Sequence, residues 1–307
     1  MRIAIIGQQE FGKAALEAFL AHGHEVVGVF CAPEKADAKP DVLREAAQDL
    51  GLPVFQFSSL KSEFALRAMS ELDADIGIMA YVLQFAPQAF VNIPRHGTIQ
   101  YHPSLLPRHR GASAISWAIA LGETQTGLSI FRPTDGLDEG PVVLQKTCAI
   151  GPDETLGELY FNKLFPMGVA ALLEAADLIA AGHHEERVQD ESQALYEGWF
   201  HDEEARINWA NHVDQVYNLV RACNPAPGAW TELDGVRVRL YDSRKHTVRA
   251  FGGVAGKPGH IAAISDTAIE INAQGGRIEV LKLRPEGGKK MSAGEFARQR
   301  GLVISRA

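Results

Sequence analysis

Residues 2–30, RIAIIGQQEFGKAALEAFLAHGHEVVGVF, contain two apolar runs separated by an amphipathic segment. Arg2 to Ile6 and Glu25 to Phe30 have the length and the β-branched content of buried strands. Between them, Gly12 to His22 carries apolar residues at helical spacing. A strand, a helix and a second strand in this order predict parallel strands covered by helices.

The same alternation continues beyond this stretch. Further helices are predicted at Pro40 to Leu50, Phe64 to Leu72 and Thr155 to Ala181. Further strands are predicted at Pro53 to Phe55, Ile76 to Met79, Gly97 to His102 and Thr126 to Arg132. We therefore expect an α/β fold with a Rossmann-like parallel sheet and helices on both of its faces.

The pattern changes after Gly182, where a polar stretch leads to one more helix, Val213 to Cys223. Short alternating runs separated by turns follow it at Val236 to Tyr241, His260 to Ala263, Ala268 to Ile271 and Arg277 to Leu283. These runs predict a second, smaller domain that is rich in β-strands and forms a barrel. We place the two domains at residues 1–203 and 204–307.

The composition limits the classes of partner. The 307 residues carry a net charge of −8, and no basic run exceeds a pair or so, which argues against nucleic acid without excluding it. Cys31, Cys148 and Cys223 are isolated and suggest neither a disulfide framework nor a zinc site. With no signal peptide and no apolar run of about 20 residues, we expect a cytoplasmic protein that does not enter a membrane.

The first strand ends in a glycine turn, GQQEFG at residues 7–12. The dinucleotide fingerprint requires a glycine two residues after the first one, and this chain has Gln9 there. A nicotinamide-dependent oxidoreductase is therefore disfavoured. A tight turn is the favoured interpretation, although a free helix N-terminus could still hold a single anion.

The most informative stretch is GTIQYHPSLLPRHRG, residues 97–111. A strand would deliver His102 to the carboxyl edge of the sheet, and Pro103 and Pro107 would stiffen the chain that follows. A glycine-rich loop, TDGLDEG at residues 134–140, follows the next strand and carries Asp138. Alone, the histidine suggests a packed residue and the aspartate a turn residue. At matched ends of neighbouring strands of a parallel sheet, they predict a general acid/base pair.

The runs 101–112 and 135–140, with Thr126-Gly127 between them, resemble the formyltransferases that use 10-formyltetrahydrofolate. Residues 207–209, 221–230 and 285–293 resemble the C-terminal barrel of the larger members, so the likeness covers essentially the whole chain. It is closest to the N-terminal hydrolase domain of 10-formyltetrahydrofolate dehydrogenase, and methionyl-tRNA formyltransferase is a more distant relative. The resemblance implies a formyltransferase catalytic domain followed by an OB-like domain.

The resemblance also implies the catalytic residues. The histidine and the aspartate of the family fall on His102 and Asp138, and the family's asparagine falls on Gln100. Glutamine keeps an amide donor for a developing oxyanion but is one methylene longer, and in the dehydrogenase's hydrolase domain this position is apolar. His102, with Gln100, would stabilise the oxyanion, and Asp138 would orient His102 and accept the nucleophile's proton. No metal is required.

The folate pocket that the resemblance implies consists of the exit of one strand and the backbone near the catalytic aspartate. Its predicted residues are Met79, Ala80, Tyr81, Leu83, Phe85 and Leu137, with Arg110 as a contact for the folate tail or the acceptor. Any buried strand and its exit would produce the same pattern over residues 76–82. Arg110, as an exposed arginine, could equally be neutral.

The sequence says less about the formyl acceptor than about the formyl donor. Methionyl-tRNA enzymes carry a basic insertion after the second strand, whereas Pro33 to Pro40 has no excess of positive charge here. Hydrolysis to tetrahydrofolate and formate, or transfer to a small amine, is therefore favoured, with methionyl-tRNA as the alternative. Sugar-nucleotide and hydroxamate acceptors also stay open. A non-catalytic folate-binding protein is disfavoured by the His102 and Asp138 pair.

Overall fold

The computed structural model describes residues 1–35, 38–248 and 256–304. The strands are β1 (Arg2–Gly7), β2 (Glu25–Phe30), β3 (Val54–Phe55), β4 (Ile76–Ala80), β5 (Thr98–His102), β6 (Gln125–Phe131), β7 (Val142–Ala149), β8 (Ala229–Leu233), β9 (Val236–Leu240), β10 (Ser243–Thr247), β11 (Ile261–Ile264), β12 (Ile269–Ala273), β13 (Gly276–Val280), β14 (Lys282–Pro285) and β15 (Met291–Ser292). The helices are α1 (Gln9–Ala21), α2 (Val42–Asp49), α3 (Glu63–Glu71), α4 (Gln88–Val91), α5 (Ala114–Ala120), α6 (Leu156–Leu159), α7 (Phe165–Ala180), α8 (Val213–Ala222) and α9 (Ala293–Arg300).

The chain forms two compact units. The first consists of Met1–Gly111, Gly127–Cys148 and Phe161–Tyr196, and the second of Ala112–Thr126, Ala149–Tyr160 and Glu197–Ala307. Both units draw on the first 203 residues, and the domain boundary after residue 203 stays a prediction. In the part of the chain that the structure describes, no helix is long and apolar enough to span a membrane.

The first unit contains a seven-stranded sheet in the order β3-β2-β1-β4-β5-β6-β7. Strands β1 to β5 pair in parallel, which confirms the predicted parallel sheet. The parallel arrangement expected for the strands before His102 and Asp138 is wrong, because β6 runs antiparallel to β5 and places Ser129 opposite His102. Hydrophobic periodicity reports burial but not strand direction, so an antiparallel strand in a mixed sheet escapes it.

The two faces of this sheet are covered by different helices. Ile99 and Tyr101 of β5 belong to a core formed with α1 and α7. Met79, the register neighbour of Gln100, belongs to the opposite core, formed with α3 and α4. Because side chains alternate along a strand, Gln100 and His102 both point to the α3 and α4 side.

The helix predicted at Thr155 to Ala181 is confirmed and runs without a break from Leu156 to Ala180. It consists of α6, a π-helical turn at Tyr160–Leu164, and α7. Pro166 lies in the first turn of α7, directly after the π-helical turn, where its missing N–H is tolerated. Helix α1 begins at Gln9, three residues before its predicted start.

The second unit contains two four-stranded sheets, β10-β13-β12-β11 and β15-β14-β9-β8, and its strand pairs are antiparallel. This confirms a β-rich second domain, while its closure into an OB-like barrel stays a prediction. The single run predicted at Arg277 to Leu283 is divided into β13 and β14. The break occurs because the amides of Leu281 and Lys282 both donate to the carbonyl of Asp242.

Candidate active site

His102 ends β5 and is 5% exposed. Its Nε2 lies 2.8 Å from the carbonyl oxygen of His109, which can only accept, so Nε2 carries a hydrogen. Its Nδ1 lies 3.5 Å from Oδ2 of Asp138. The carbonyl thus fixes the ring and leaves Nδ1 as the nitrogen available for chemistry beside a carboxylate.

The chain after His102 is held in place by Ser129, which lies opposite it on β6. The Ser129 hydroxyl donates to the carbonyl of Ser104 at 2.7 Å and accepts from the amide of Leu106 at 3.1 Å. The Gln145 amide donates to the Leu106 carbonyl and to the Ser129 hydroxyl, each at 2.9 Å. Sequence reasoning missed both residues, because neither belongs to the two runs that carry the histidine and the aspartate.

Asp138 reaches His102 through the loop that follows β6 and not through matched strand ends. Its backbone is left-handed, with φ of 54°, and its Oδ2 accepts from the amide of Gly111 at 2.9 Å. Among the described residues, none donates a hydrogen bond to its Oδ1. The loop closes tightly at Gly140, where a Cβ would lie 1.6 Å from the carbonyl oxygen of Arg132. One oxygen of Asp138 is thus anchored, and the other is available to a ligand.

Gln100 lies two residues before His102 on the same face of β5, so their backbones are separated by about 6.6 Å along the strand. It is half-buried, and its side-chain amide has no hydrogen-bond partner within the described ranges. The amide is therefore available to a ligand that occupies this face.

The predicted folate residues divide into two groups. Met79 and Ala80 are buried in the sheet, so only their backbones could meet a ligand. The large apolar side chains of the others are exposed, at Tyr81, Leu83, Phe85 and Leu137. Asp135 Oδ1 accepts from the amide of Gln88 at 3.0 Å, which ties the loop of Asp138 and Leu137 to the helix that follows residue 85. These residues thus come from two neighbouring loops, and their contacts with folate stay predictions.

Arg110 is not the exposed residue that the sequence suggested, because its side chain is fully buried. Its guanidinium donates to Gln189 at 2.8 and 3.1 Å, to Glu191 at 2.6 and 2.9 Å, and to the hydroxyl of Tyr196. The hydrogen bonds to Glu191 hold the pKa of Arg110 above its ordinary value. All of its N–H groups are committed within the protein, so this geometry does not support a contact with the folate tail.

The N-terminus of α1 is also occupied. The amide of Gln9, which has φ of 58°, donates to both carboxylate oxygens of Asp41 at 2.9 Å. A phosphate placed there would meet the negative charge of Asp41. The geometry therefore agrees with a tight turn and not with a dinucleotide or anion site.

Two family models match the chain, Formyl transferase over residues 1–175 and Formyl transferase, C-terminal domain, over residues 200–301. The mitochondrial 10-formyltetrahydrofolate dehydrogenase of Mus musculus is 38% identical over 307 residues, covering 96% of this chain and 33% of that protein. The chain thus spans about a third of the dehydrogenases that it matches.

A methionyl-tRNA formyltransferase of Marinobacter nauticus is 33% identical over 301 residues, covering 96% of this chain and 95% of that enzyme. Among solved structures, HypX from Aquifex aeolicus in complex with tetrahydrofolic acid has a TM-score of 0.69 at 21% identity, covering 100% of this chain and 48% of that one. At this identity the likeness supports the fold alone. The two family models span the segments that carry His102, Asp138 and the antiparallel sheets, and the chain accordingly belongs to the formyl transferase family.

Proposed function

We propose that the protein removes the formyl group of 10-formyltetrahydrofolate and passes it to water or to a small amine. The observation that carries this proposal is the pair formed by His102, buried at the end of β5, and Asp138. His102 Nε2 is fixed on a backbone carbonyl, and Nδ1 faces Asp138 at 3.5 Å. The 38% identity with the dehydrogenase supports the choice of folate. Because the chain covers only 33% of that enzyme, the proposal is limited to the step that releases the formyl group.

Hydrolysis would proceed as follows. A water molecule attacks the formyl carbon. The charge that develops on the formyl oxygen is stabilised by the side-chain amide of Gln100 and by Nδ1–H of His102 in its doubly protonated form, which keeps the Nε2–H bond to the His109 carbonyl. Asp138 Oδ1, which has no other partner in the described part of the chain, accepts a proton from the water and returns it to the folate nitrogen as the carbon–nitrogen bond breaks. The products are tetrahydrofolate and formate, and ionisation of the formic acid releases the second proton.

The test is to incubate the purified protein with 10-formyltetrahydrofolate, alone and with candidate amines or methionyl-tRNA. Folate absorbance and released formate are followed together. Hydrolysis predicts equal amounts of tetrahydrofolate and formate without an acceptor, whereas transfer predicts folate turnover that depends on the acceptor and releases little formate. No change of folate absorbance under any of these conditions would overturn the proposal.

Methionyl-tRNA formylation is the second candidate, because the matching methionyl-tRNA enzyme is aligned over 95% of its length. The net charge of −8 and the neutral composition of residues 33–40 stand against it. Residues 36 and 37 of that segment lie outside the described residues. The methionyl-tRNA arm of the same assay decides between the two candidates.

A cytoplasmic location of the protein also stays a prediction.

Replacing Gln100 by leucine is expected to lower kcat on the order of 10²-fold, because removing one oxyanion donor has an effect of this size. Gln100→Asn keeps an amide donor with a shorter reach and serves as the matched variant. We expect its kcat to lie between those of wild type and Gln100→Leu in the formate assay. A leucine variant with wild-type kcat would show that Gln100 is not a donor.

A further inference from the structure

A segment that follows α7 contacts the loops of both catalytic residues. Residues 187–196, the bracing segment, pair at one end with the chain before Gly111. The amide of Leu195 donates to the carbonyl of Pro107 at 3.1 Å, and the amide of Arg110 donates to the carbonyl of Leu195 at 2.8 Å. The His102 loop, which ends at this point, is therefore fastened to the bracing segment by its backbone.

The other end of the bracing segment holds the Asp138 loop. The amide of Val142 donates to the carbonyl of Arg187 at 2.8 Å, and the amide of Arg187 donates to the carbonyl of Val142 at 2.9 Å. The two loops thus share one support, although β6 separates them in the sequence. A shift of this support would change the distance between His102 and Asp138.

Gln189 lies between these two attachments and is 7% exposed. Its Nε2 donates to the carbonyls of Asp138 and Gly140 at 2.8 and 2.7 Å. Its Oε1 accepts from Nη2 and Nε of Arg110 at 2.8 and 3.1 Å. Both donors and both acceptor positions of the amide are used, so the side chain has one orientation.

The hydrogen bond from Gln189 Nε2 to the Asp138 carbonyl holds a residue whose backbone is left-handed. A left-handed conformation at a residue other than glycine persists when its surroundings hold it. The direction of this peptide sets where the Asp138 side chain leaves the loop. That carboxylate reaches the Gly111 amide at 2.9 Å and His102 Nδ1 at 3.5 Å.

We infer that Gln189 is a positioning residue for formyl transfer, acting on the catalytic carboxylate through the Asp138 backbone, with Arg110 fixing its amide. This inference rests on the proposed function, because it assigns Gln189 a role in that reaction. A misplacement of about 1 Å at a reacting group can cost on the order of 10²-fold in rate. The loss should fall on kcat, since Gln189 is placed outside the predicted folate pocket.

Two substitutions of Gln189 distinguish its hydrogen bonds to Arg110 from those to the carbonyls of Asp138 and Gly140. Gln189→Leu removes all four hydrogen bonds, whereas Gln189→Glu keeps an acceptor for Arg110 and loses the donor to Asp138 and Gly140. Both variants should lower kcat by about 10- to 10²-fold with KM for 10-formyltetrahydrofolate within about twofold. Gln193→Leu is the control and should match wild type, because Gln193 is an exposed glutamine of the same segment and its side-chain amide donates to Asp190. If the leucine variant does not fold, the glutamate variant decides.

A second readout needs no substrate. Hydrogen exchange of the Gly111 amide, which donates to Asp138 Oδ2, should be at least tenfold faster in Gln189→Leu, while amides of β1 exchange as in wild type. Wild-type kcat in a folded variant would overturn the inference. If wild type itself does not consume 10-formyltetrahydrofolate, the proposed function fails and the exchange measurement decides alone. Faster exchange would then support positioning, and an unchanged rate would overturn it.

Discussion

Replacement of His102 by alanine is expected to reduce kcat/KM for 10-formyltetrahydrofolate by on the order of 10³-fold, because general acid/base and oxyanion terms of 10²- to 10⁴-fold are lost together with the ring. The imidazole contacts the His109 carbonyl through Nε2 at 2.8 Å and faces Asp138 through Nδ1 at 3.5 Å. The rate of formate release at substrate concentrations well below KM measures the effect.

His183→Ala is the matched control, because His183 is an exposed histidine of the same unit and lies outside both the catalytic loops and the bracing segment. It should retain wild-type kcat/KM.

Asp138→Asn should approach the loss of His102→Ala, since an amide at this position cannot accept the proton of the nucleophile. A folded His102→Ala protein with near-normal turnover would remove the mechanism.

Replacement of Arg110 by methionine is expected to lower the free energy of unfolding by about 3 kcal/mol, because leaving a buried polar group unpaired costs roughly 1–3 kcal/mol and a hydrogen bond to a charged group contributes about 1.5–3 kcal/mol. Methionine fills much of the space of the arginine stem but leaves Oε1 of Gln189 without a donor. Urea denaturation, with the midpoint and the slope fitted separately, measures the loss.

The control for this variant is Arg95→Met. Arg95 forms an ion pair with Asp75 at 3.3 Å, but its side chain is 65% exposed, so the loss should be within about 1 kcal/mol. A similar, small loss for both variants would mean that the buried guanidinium adds no more stability than a surface ion pair. The Gln189 hydrogen bonds to the Asp138 loop would then have to persist without Arg110.

The proximity of His102 and Asp138 could be predicted from the sequence although one premise of the prediction was wrong. His102 was placed correctly at the end of a strand, because an apolar run followed by Pro103 defines that end locally. Asp138 was expected at a matched strand end, yet β6 is antiparallel and the loop of residues 132–141 brings the carboxylate back. The proximity is confirmed, but it arises from this loop and not from the parallel strand ends on which the prediction rested.

Local sequence patterns determined the secondary structure of this protein. Apolar runs and helical spacing are set by neighbouring residues, so the strands, most helices and the change to a β-rich second half could be read directly. The tertiary structure decided the direction of β6, the burial of Arg110 and the contacts of Gln189 with the Asp138 loop. Gln189 meets the Asp138 carbonyl across 51 positions of sequence, and hydrogen bonds over such a separation depend on how the loops fold back on one another. No local pattern of residues records that arrangement.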